Sequence, residues 1–87
     1  MMTKEELAKL QECEGGVITE YDQHIGKTES RIQSIKLKNA GTHDEMLSIK
    51  CDHFTGQCLV RLASIRHEVD ATRITTPFGM EWELRRD

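Results

Sequence analysis

The chain has 87 residues, of which 37% are hydrophobic and 5% aromatic, and this size limits it to one domain with a small core. Its formal net charge of -3 at pH 7 argues against binding a nucleic-acid polymer, because neutralising phosphates requires an excess of Lys and Arg. Lys4, Glu5 and Glu6 place charges close to Met1, and no run of about 18 apolar residues occurs in the chain. We therefore expect neither a secretory leader nor a membrane span.

The cysteines indicate the redox compartment. Cys13, Cys51 and Cys58 are an odd set without the spacing of a disulfide framework. We expect buried, reduced thiols that act as small hydrophobic side chains, which fits a cytoplasmic protein, in the host cytoplasm if a phage encodes it. The cysteines and histidines also lack the short paired spacings of a zinc site. The sequence therefore predicts no metal and no cofactor.

A short first helix is predicted over residues 3–13. Thr3 followed by Glu6 is a capping box, in which each side chain satisfies a backbone N–H of the first turn. The pair Gly15 and Gly16 then ends the helix, because glycine readily adopts left-handed backbone conformations.

Two ladders of apolar or nearly apolar residues with steps of mostly three and four follow. The first consists of Ile18, Tyr21, Ile25, Thr28, Ile32 and Ile35, and the second of Leu47, Cys51, Phe54, Cys58, Leu62, Ile65 and Val69. Such steps place side chains on one helical face. The ladders predict long helices over 17–39 and 42–71 that reverse near Gly41 and pack as an antiparallel, coiled-coil-like hairpin. In that register Gly26 lies level with Gly56.

The tail, residues 73–87, changes period. Met80, Trp82 and Leu84 alternate with charged residues, which is the signal of a strand. The segment 76–79, with Pro second and Gly fourth, suits a type I turn. We predict a short β-hairpin or an extended tail, and the alternative is a short helix over 80–86.

The whole chain is thus predicted to be a single, mainly α domain that assembles as a homo-oligomer. The second ladder carries further apolar residues off its stripe, namely Ile49, Leu59, Val60 and Ala63. A helix that is apolar on most sides must be covered on most sides, and a second copy of the chain could provide that cover.

Catalysis is not indicated by any motif. The chain contains no Gly-rich phosphate loop, no nucleophile elbow and no His-Glu-x-x-His sequence. We therefore expect a protein that is not an enzyme.

The leading functional hypothesis is a small regulatory or inhibitory protein that sequesters a protein partner. Its candidate contacts are the apolar residues of the tail, Phe78, Met80, Trp82 and Leu84, because exposed aromatic anchors are typical of interface hot spots. The predicted architecture is similar in plan to small accessory proteins of phages and mobile elements. That similarity concerns architecture, and fold does not imply function.

The alternative hypothesis is capture of an anionic small molecule, such as a cyclic nucleotide, between subunits. An aromatic ring with several cationic side chains could hold such a ligand by stacking and charge-assisted hydrogen bonds. The candidate contacts are Tyr21, Lys27, Arg31, Arg61 and Arg66.

Overall fold

The computed structural model describes residues 1–87 and is built mainly of β-strands. One helix precedes seven strands that form a single antiparallel sheet, curled into a half-barrel. The elements are, in chain order, α1 (Lys4–Gln11), β1 (Val17–Asp22), β2 (Gly26–Lys38), β3 (Met46–Cys51), β4 (Thr55–Leu59), a 3₁₀ helix (Val60–Leu62), β5 (Ser64–His67), β6 (Thr72–Thr75) and β7 (Glu81–Arg85).

The strands follow the order β4-β3-β2-β1-β7-β6-β5 across the sheet. The edge strands β4 and β5 are consecutive in the chain and are joined by the 3₁₀ helix. The sheet must therefore curl for so short a connection to span its two edges. No helix of the structure has the length and apolar character needed to cross a bilayer.

The core fills the inside of the curl. It is formed by fully buried side chains from the helix and from five of the strands, including Leu10, Ile18, Ile32, Ile35, Leu47, Ile49, Ile74, Trp82 and Leu84. Leu10 is the buried residue of α1 and packs in this core, and α1 lies against β2.

The predicted helical hairpin is wrong, and so is the coiled coil. The chain does reverse around Gly41, but the two arms are the strands β2 and β3, with Leu37 paired to Leu47. Five of the six residues of the first ladder are Ile or Thr, and the second ladder contains Ile65 and Val69. These β-branched side chains favour strands over helices.

A β-bulge explains why the first ladder looks helical. Ile32 pairs with Cys51 and Ser34 pairs with Lys50, so Gln33 is an extra residue in β2. The extra residue shifts the alternation of side chains along β2 by one position. Ile32 and Ile35 therefore both face the core although they are three residues apart. The step of three from Ile32 to Ile35 therefore comes from a bulge and not from a helical turn.

The glycine register also fails. Gly26 lies in the β1–β2 turn with a φ of +95°, whereas Gly56 lies in β4, facing the indole ring of Trp82. The two glycines serve unrelated purposes: one permits a turn, and the other leaves room for a large ring.

The first helix and the tail agree with the sequence expectations. The Thr3 hydroxyl accepts a hydrogen bond from the Glu6 backbone N–H at 3.1 Å, as a capping residue does. In the tail, β6 and β7 form the predicted hairpin, and the Gly79 N–H donates to the Thr76 carbonyl across the turn. The alternative helix over 80–86 is absent.

Candidate functional site

The outer face of β2, β3 and β4 carries three lysines. Because paired residues of neighbouring strands share a face, the register gives three rows. These rows are Ser34–Lys50–Thr55, Lys36–Ser48–Gln57 and Lys38–Met46–Leu59. We call the surface formed by Lys36, Lys38 and Lys50 with the polar residues Ser34, Ser48 and Thr55 the lysine face.

An apolar cleft of about 260 Å³ adjoins this face. It lies between the β4–3₁₀ segment and the β6–β7 turn, and its lining includes Leu59, Leu62, Phe78 and Met80. Met46 and Gln57, which belong to the rows of the lysine face, also line it. The lysine face and the apolar cleft are therefore one continuous surface.

Phe78 is the most informative residue of the cleft, because its side chain is 92% exposed. It sits in the β6–β7 turn, where the Thr76 backbone N–H and hydroxyl both donate to the Met80 carbonyl, at 2.9 and 3.1 Å. Gly79 has a φ of +78°, which allows the chain to enter β7. These bonds fix the backbone that presents the phenyl ring to solvent.

The four residues predicted to bind a partner divide into two pairs. Phe78 and Met80 line the apolar cleft, whereas Trp82 and Leu84 are 1% and 0% exposed and belong to the core. The Trp82 indole N–H donates to a carboxylate oxygen of Glu20 at 3.0 Å, which satisfies the only polar group of this buried ring. Alternation along β7 sends both side chains inward.

The five residues predicted to bind an anionic ligand are only partly brought together. Tyr21 pairs with Lys27 and with Glu81 on the outer face of the sheet, and Arg66 donates to Glu81 at 2.9 Å. Arg66 thus contacts the Glu81 carboxylate on one side of Tyr21, while Lys27 on the other side pairs with Glu29 at 3.4 Å.

The other two members of that set lie elsewhere. Arg31 is near the C-terminus, where it donates to Asp87, and Arg61 lies on the 3₁₀ helix. The geometry does not gather the five side chains into one pocket.

The rest of the outer sheet face is neutralised by ion pairs. The chain of contacts runs from Lys27 to Glu29 at 3.4 Å, from Arg85 to Glu83 at 3.4 Å, and from Arg73 to Glu83 at 2.6 Å. The hydrogen bonds that Arg73 donates to Glu68 and to Glu83 raise the pKa of its guanidinium above the usual range. None of the three lysines of the lysine face takes part in an ion pair in the structure.

A polar cleft of about 460 Å³ lies on another side of the molecule, between α1 and the β5–β6 turn. Here His67 contacts the Glu6 carboxylate through Nε2 at 2.8 Å and the Thr72 hydroxyl through Nδ1 at 3.0 Å. A hydroxyl, an imidazole and a carboxylate in a row resemble a catalytic triad. The same contacts connect α1 to β5 and β6, which is a structural role.

The thiols are poor nucleophiles. Burial raises the pKa of Cys13, which lines the polar cleft, above its ordinary value of 9.0, and the charge of Arg86 offsets this only in part. Burial also raises the pKa of Cys51 and of Cys58 to about 11. All three cysteines are free and buried, so the prediction of buried, reduced thiols is confirmed.

Sequence reasoning missed the lysine face and half of the apolar cleft. Lys36 and Lys38 alternate with Ile35 and Leu37, which is a period-two signal inside the segment interpreted as a helix. Leu62 was assigned to a helical stripe, whereas the structure leaves it 48% exposed beside Phe78. No protein family, curated protein or solved structure matches the chain.

Proposed function

We propose that the protein is a non-enzymatic binding protein that holds a segment of a partner protein in the apolar cleft. The observation that carries this proposal is the exposure of Phe78 on a hydrogen-bonded turn beside a cleft lined mostly by apolar side chains. An aromatic side chain left in water gains free energy when a partner covers it. A pre-formed turn also reduces the entropy lost on binding.

The absence of a better use for Phe78 supports the same proposal. Its neighbours in β7, Trp82 and Leu84, already fill the core, so Phe78 is not needed for folding. The chain has only two phenylalanines and one tryptophan, and placing one of these few rings in solvent argues for a role outside the fold. Interface hot spots are enriched in aromatic anchors seated in well-packed pockets.

The polar cleft supports a non-enzymatic role less directly. Glu6, His67 and Thr72 use their polar atoms on one another to hold α1. The thiol beside them has a raised pKa, whereas a catalytic cysteine needs a lowered one. We therefore place the function at the apolar cleft.

Self-association remains a prediction. The sequence argument for it is that the second ladder is apolar on most sides. The curled sheet buries Ile49 within one chain and leaves Leu59, Val60 and Ala63 only partly buried. Native mass spectrometry of the purified protein measures the number of subunits directly.

A peptide-display selection tests the proposed function. We expect random dodecapeptides selected on the protein to contain an apolar anchor and to bind with a Kd in the micromolar range. Phe78→Ser should weaken binding at least tenfold, since loss of a buried aromatic anchor costs about 2 kcal/mol or more. Val69→Ser is the matched control, because Val69 is also exposed but lies in the β5–β6 turn, at the other end of β6. Peptides that bind both variants equally would contradict the proposal.

A further inference from the structure

The lysine face is the part of the molecule that the proposed function leaves unused, and its charge is uncompensated. The chain contains 12 Lys and Arg residues and 15 Asp and Glu residues. Even so, none of the residues in the three rows, which lie on the outer face of β2, β3 and β4, is acidic. Lysines in neighbouring rows are about 7 Å apart. Three exposed ammonium groups at this spacing repel one another, which opposes folding.

The carboxylates that flank β3 in the chain form hydrogen bonds to other groups. Glu45 accepts hydrogen bonds from the backbone N–H groups of Met2 and Gly41, at 2.7 and 2.9 Å. Asp52 accepts one from the Gln33 amide at 2.8 Å. Neither carboxylate forms an ion pair with a lysine of the lysine face, in contrast to the ion-paired remainder of the sheet.

The distance between the lysines and the apolar cleft indicates which kind of partner segment could contact both. Lys38, Met46 and Leu59 form one row across three strands. Adjacent strands are about 4.8 Å apart, so Lys38 lies about 10 Å from Leu59 at the cleft. An extended chain covers that distance in about three residues. A segment with an apolar side chain in the cleft therefore passes over the lysine face within its next few residues.

We infer that the partner segment is acidic, with carboxylates about two to four positions from an apolar anchor, and that it lies in the apolar cleft and across the lysine face. This inference rests on the proposed function. The apolar contact supplies affinity, and the lysines select an acidic sequence and speed the encounter of the two proteins. A partner that neutralises the three lysines also removes their mutual repulsion.

The chemistry of the surface favours a protein over a nucleic acid. Proteins that bind single strands combine a basic groove with aromatic side chains on which bases stack. The three rows contain Ser, Lys, Thr, Gln, Met and Leu, so Phe78 in the adjoining cleft is the one aromatic ring of this surface, and successive bases over the lysines would have no ring to stack on. The net charge of -3 further opposes binding to a polyanion at physiological salt.

The test uses the full chain and the peptides selected from the random dodecapeptide library. We expect Glu and Asp to be enriched two to four positions from the apolar anchor. Replacing these acids by Gln and Asn in a synthetic peptide should weaken binding at least tenfold. Raising NaCl from 50 to 500 mM should strongly weaken binding of the acidic peptide and should change binding of the neutral peptide little.

A charge reversal on the protein provides the second arm. The double variant Lys36→Glu/Lys38→Glu should bind the acidic peptide at least tenfold more weakly than the unsubstituted protein. The matched control is Lys9→Glu/Lys27→Glu, which makes the same change of net charge outside the lysine face. Its affinity for the acidic peptide should stay within twofold of that of the unsubstituted protein. A peptide in which Lys replaces the acids should recover affinity for the reversed variant, which shows that the variant is folded.

The possible outcomes separate the two proposals. One outcome is that the selected peptides need Phe78 for binding but show no acidic enrichment, and that the charge reversal has no effect. This outcome would overturn this inference and leave the proposed function intact. If no peptide depends on Phe78, the proposed function fails and this inference fails with it. Binding of a 20-nucleotide oligo-dT strand at 150 mM NaCl, abolished by Lys36→Glu/Lys38→Glu, would replace the acidic segment by a nucleic acid.

Discussion

Gly56 faces the six-membered ring of Trp82 from the opposite side of the curled sheet. A Cβ atom at Gly56 would lie 2.9 Å from Cζ2 of that ring, closer than carbon atoms pack. The ring is fully buried, and its N–H is held by Glu20, so it has little freedom to move. Glycine is required at this position because of the ring, and its φ is not in the left-handed region.

We predict that Gly56→Ala destabilises the protein by about 1–3 kcal/mol, since an extra methyl group must displace a packed ring. Urea denaturation followed by tryptophan fluorescence measures this change. Thr55→Ala, at the exposed neighbouring position of β4, should change the free energy of unfolding by less than about 0.5 kcal/mol. Equal effects of the two substitutions would show that Gly56 and Trp82 are not in contact.

The three cysteines should resist modification in the folded protein. A thiol with a pKa of about 11, as for Cys51 and Cys58, is ionised in about one molecule in a thousand at pH 8, and only the thiolate reacts. We expect Ellman's reagent to titrate no thiol over several minutes in native protein and three in guanidinium chloride. Rapid reaction of any thiol without denaturant would indicate an exposed or activated cysteine.

At the scale of elements, α1 is attached to the sheet by apolar and polar contacts. Leu10 enters the core and Leu7 packs against it. Glu6 reaches His67 on β5, and the Gln11 amide donates to the Ile35 carbonyl at 3.0 Å. The helix has only 8 residues, and a helix of this length is unstable in isolation. These attachments therefore decide whether it forms.

We predict that Glu6→Ala raises the hydrogen-exchange rate of the α1 amides about fivefold, because one hydrogen bond between a carboxylate and an imidazole is worth about 1 kcal/mol. The exchange of the β3 amides should be unchanged. Glu5→Ala removes a carboxylate from the same helical turn without a tertiary partner, and it should leave exchange unaltered. An equal response to both substitutions would mean that the contact with His67 does not hold the helix.

At the scale of the whole molecule, two carboxylates fix the turns through backbone hydrogen bonds. Asp22 accepts bonds from His24 and Ile25 in the β1–β2 turn, and these bonds lower its pKa. Bonds from Gly41 and Met2 lower the pKa of Glu45 below its ordinary value of 4.5. In both groups the unfolded chain takes up a proton at a higher pH than the folded chain. Their stabilisation is present at neutral pH and is lost as the pH falls through the folded pKa.

We therefore predict that Glu45→Gln lowers the melting temperature by several degrees at pH 7, and that its difference from the unsubstituted protein shrinks as the pH falls below the ordinary Glu pKa of 4.5. Thermal melts monitored by circular dichroism between pH 3 and pH 7 measure this. Asp44→Asn, at the exposed preceding residue, serves as the control. A constant difference across this range would show that the Glu45 charge does not contribute.

The candidate site could be predicted only in part. The type I turn and the alternation in β7 are local signals, so the tail hairpin is predictable, whereas partner binding at Phe78 and Met80 stays a prediction. The alternation does not show which side of β7 faces the core, so the sequence leaves open whether Trp82 packs in the core or contacts a partner. The lysine face was missed because its three residues come from strands paired through the β2–β3 hairpin, in a segment predicted to be helical.

The sequence by itself determined the features that short-range chemistry controls. These are the capped first helix, the reversal near Gly41, the tail hairpin and the buried thiols. Only the tertiary structure decided between helix and strand for residues 17–71, because the spacing of apolar residues does not show which of them are buried. The bulge at Gln33 accounts for the step from Ile32 to Ile35, and the second ladder mixes buried Leu47 with exposed Leu62 and Val69. The tertiary structure also decided which apolar side chains remain in water: the curl of the sheet buries Trp82 and leaves Phe78 exposed.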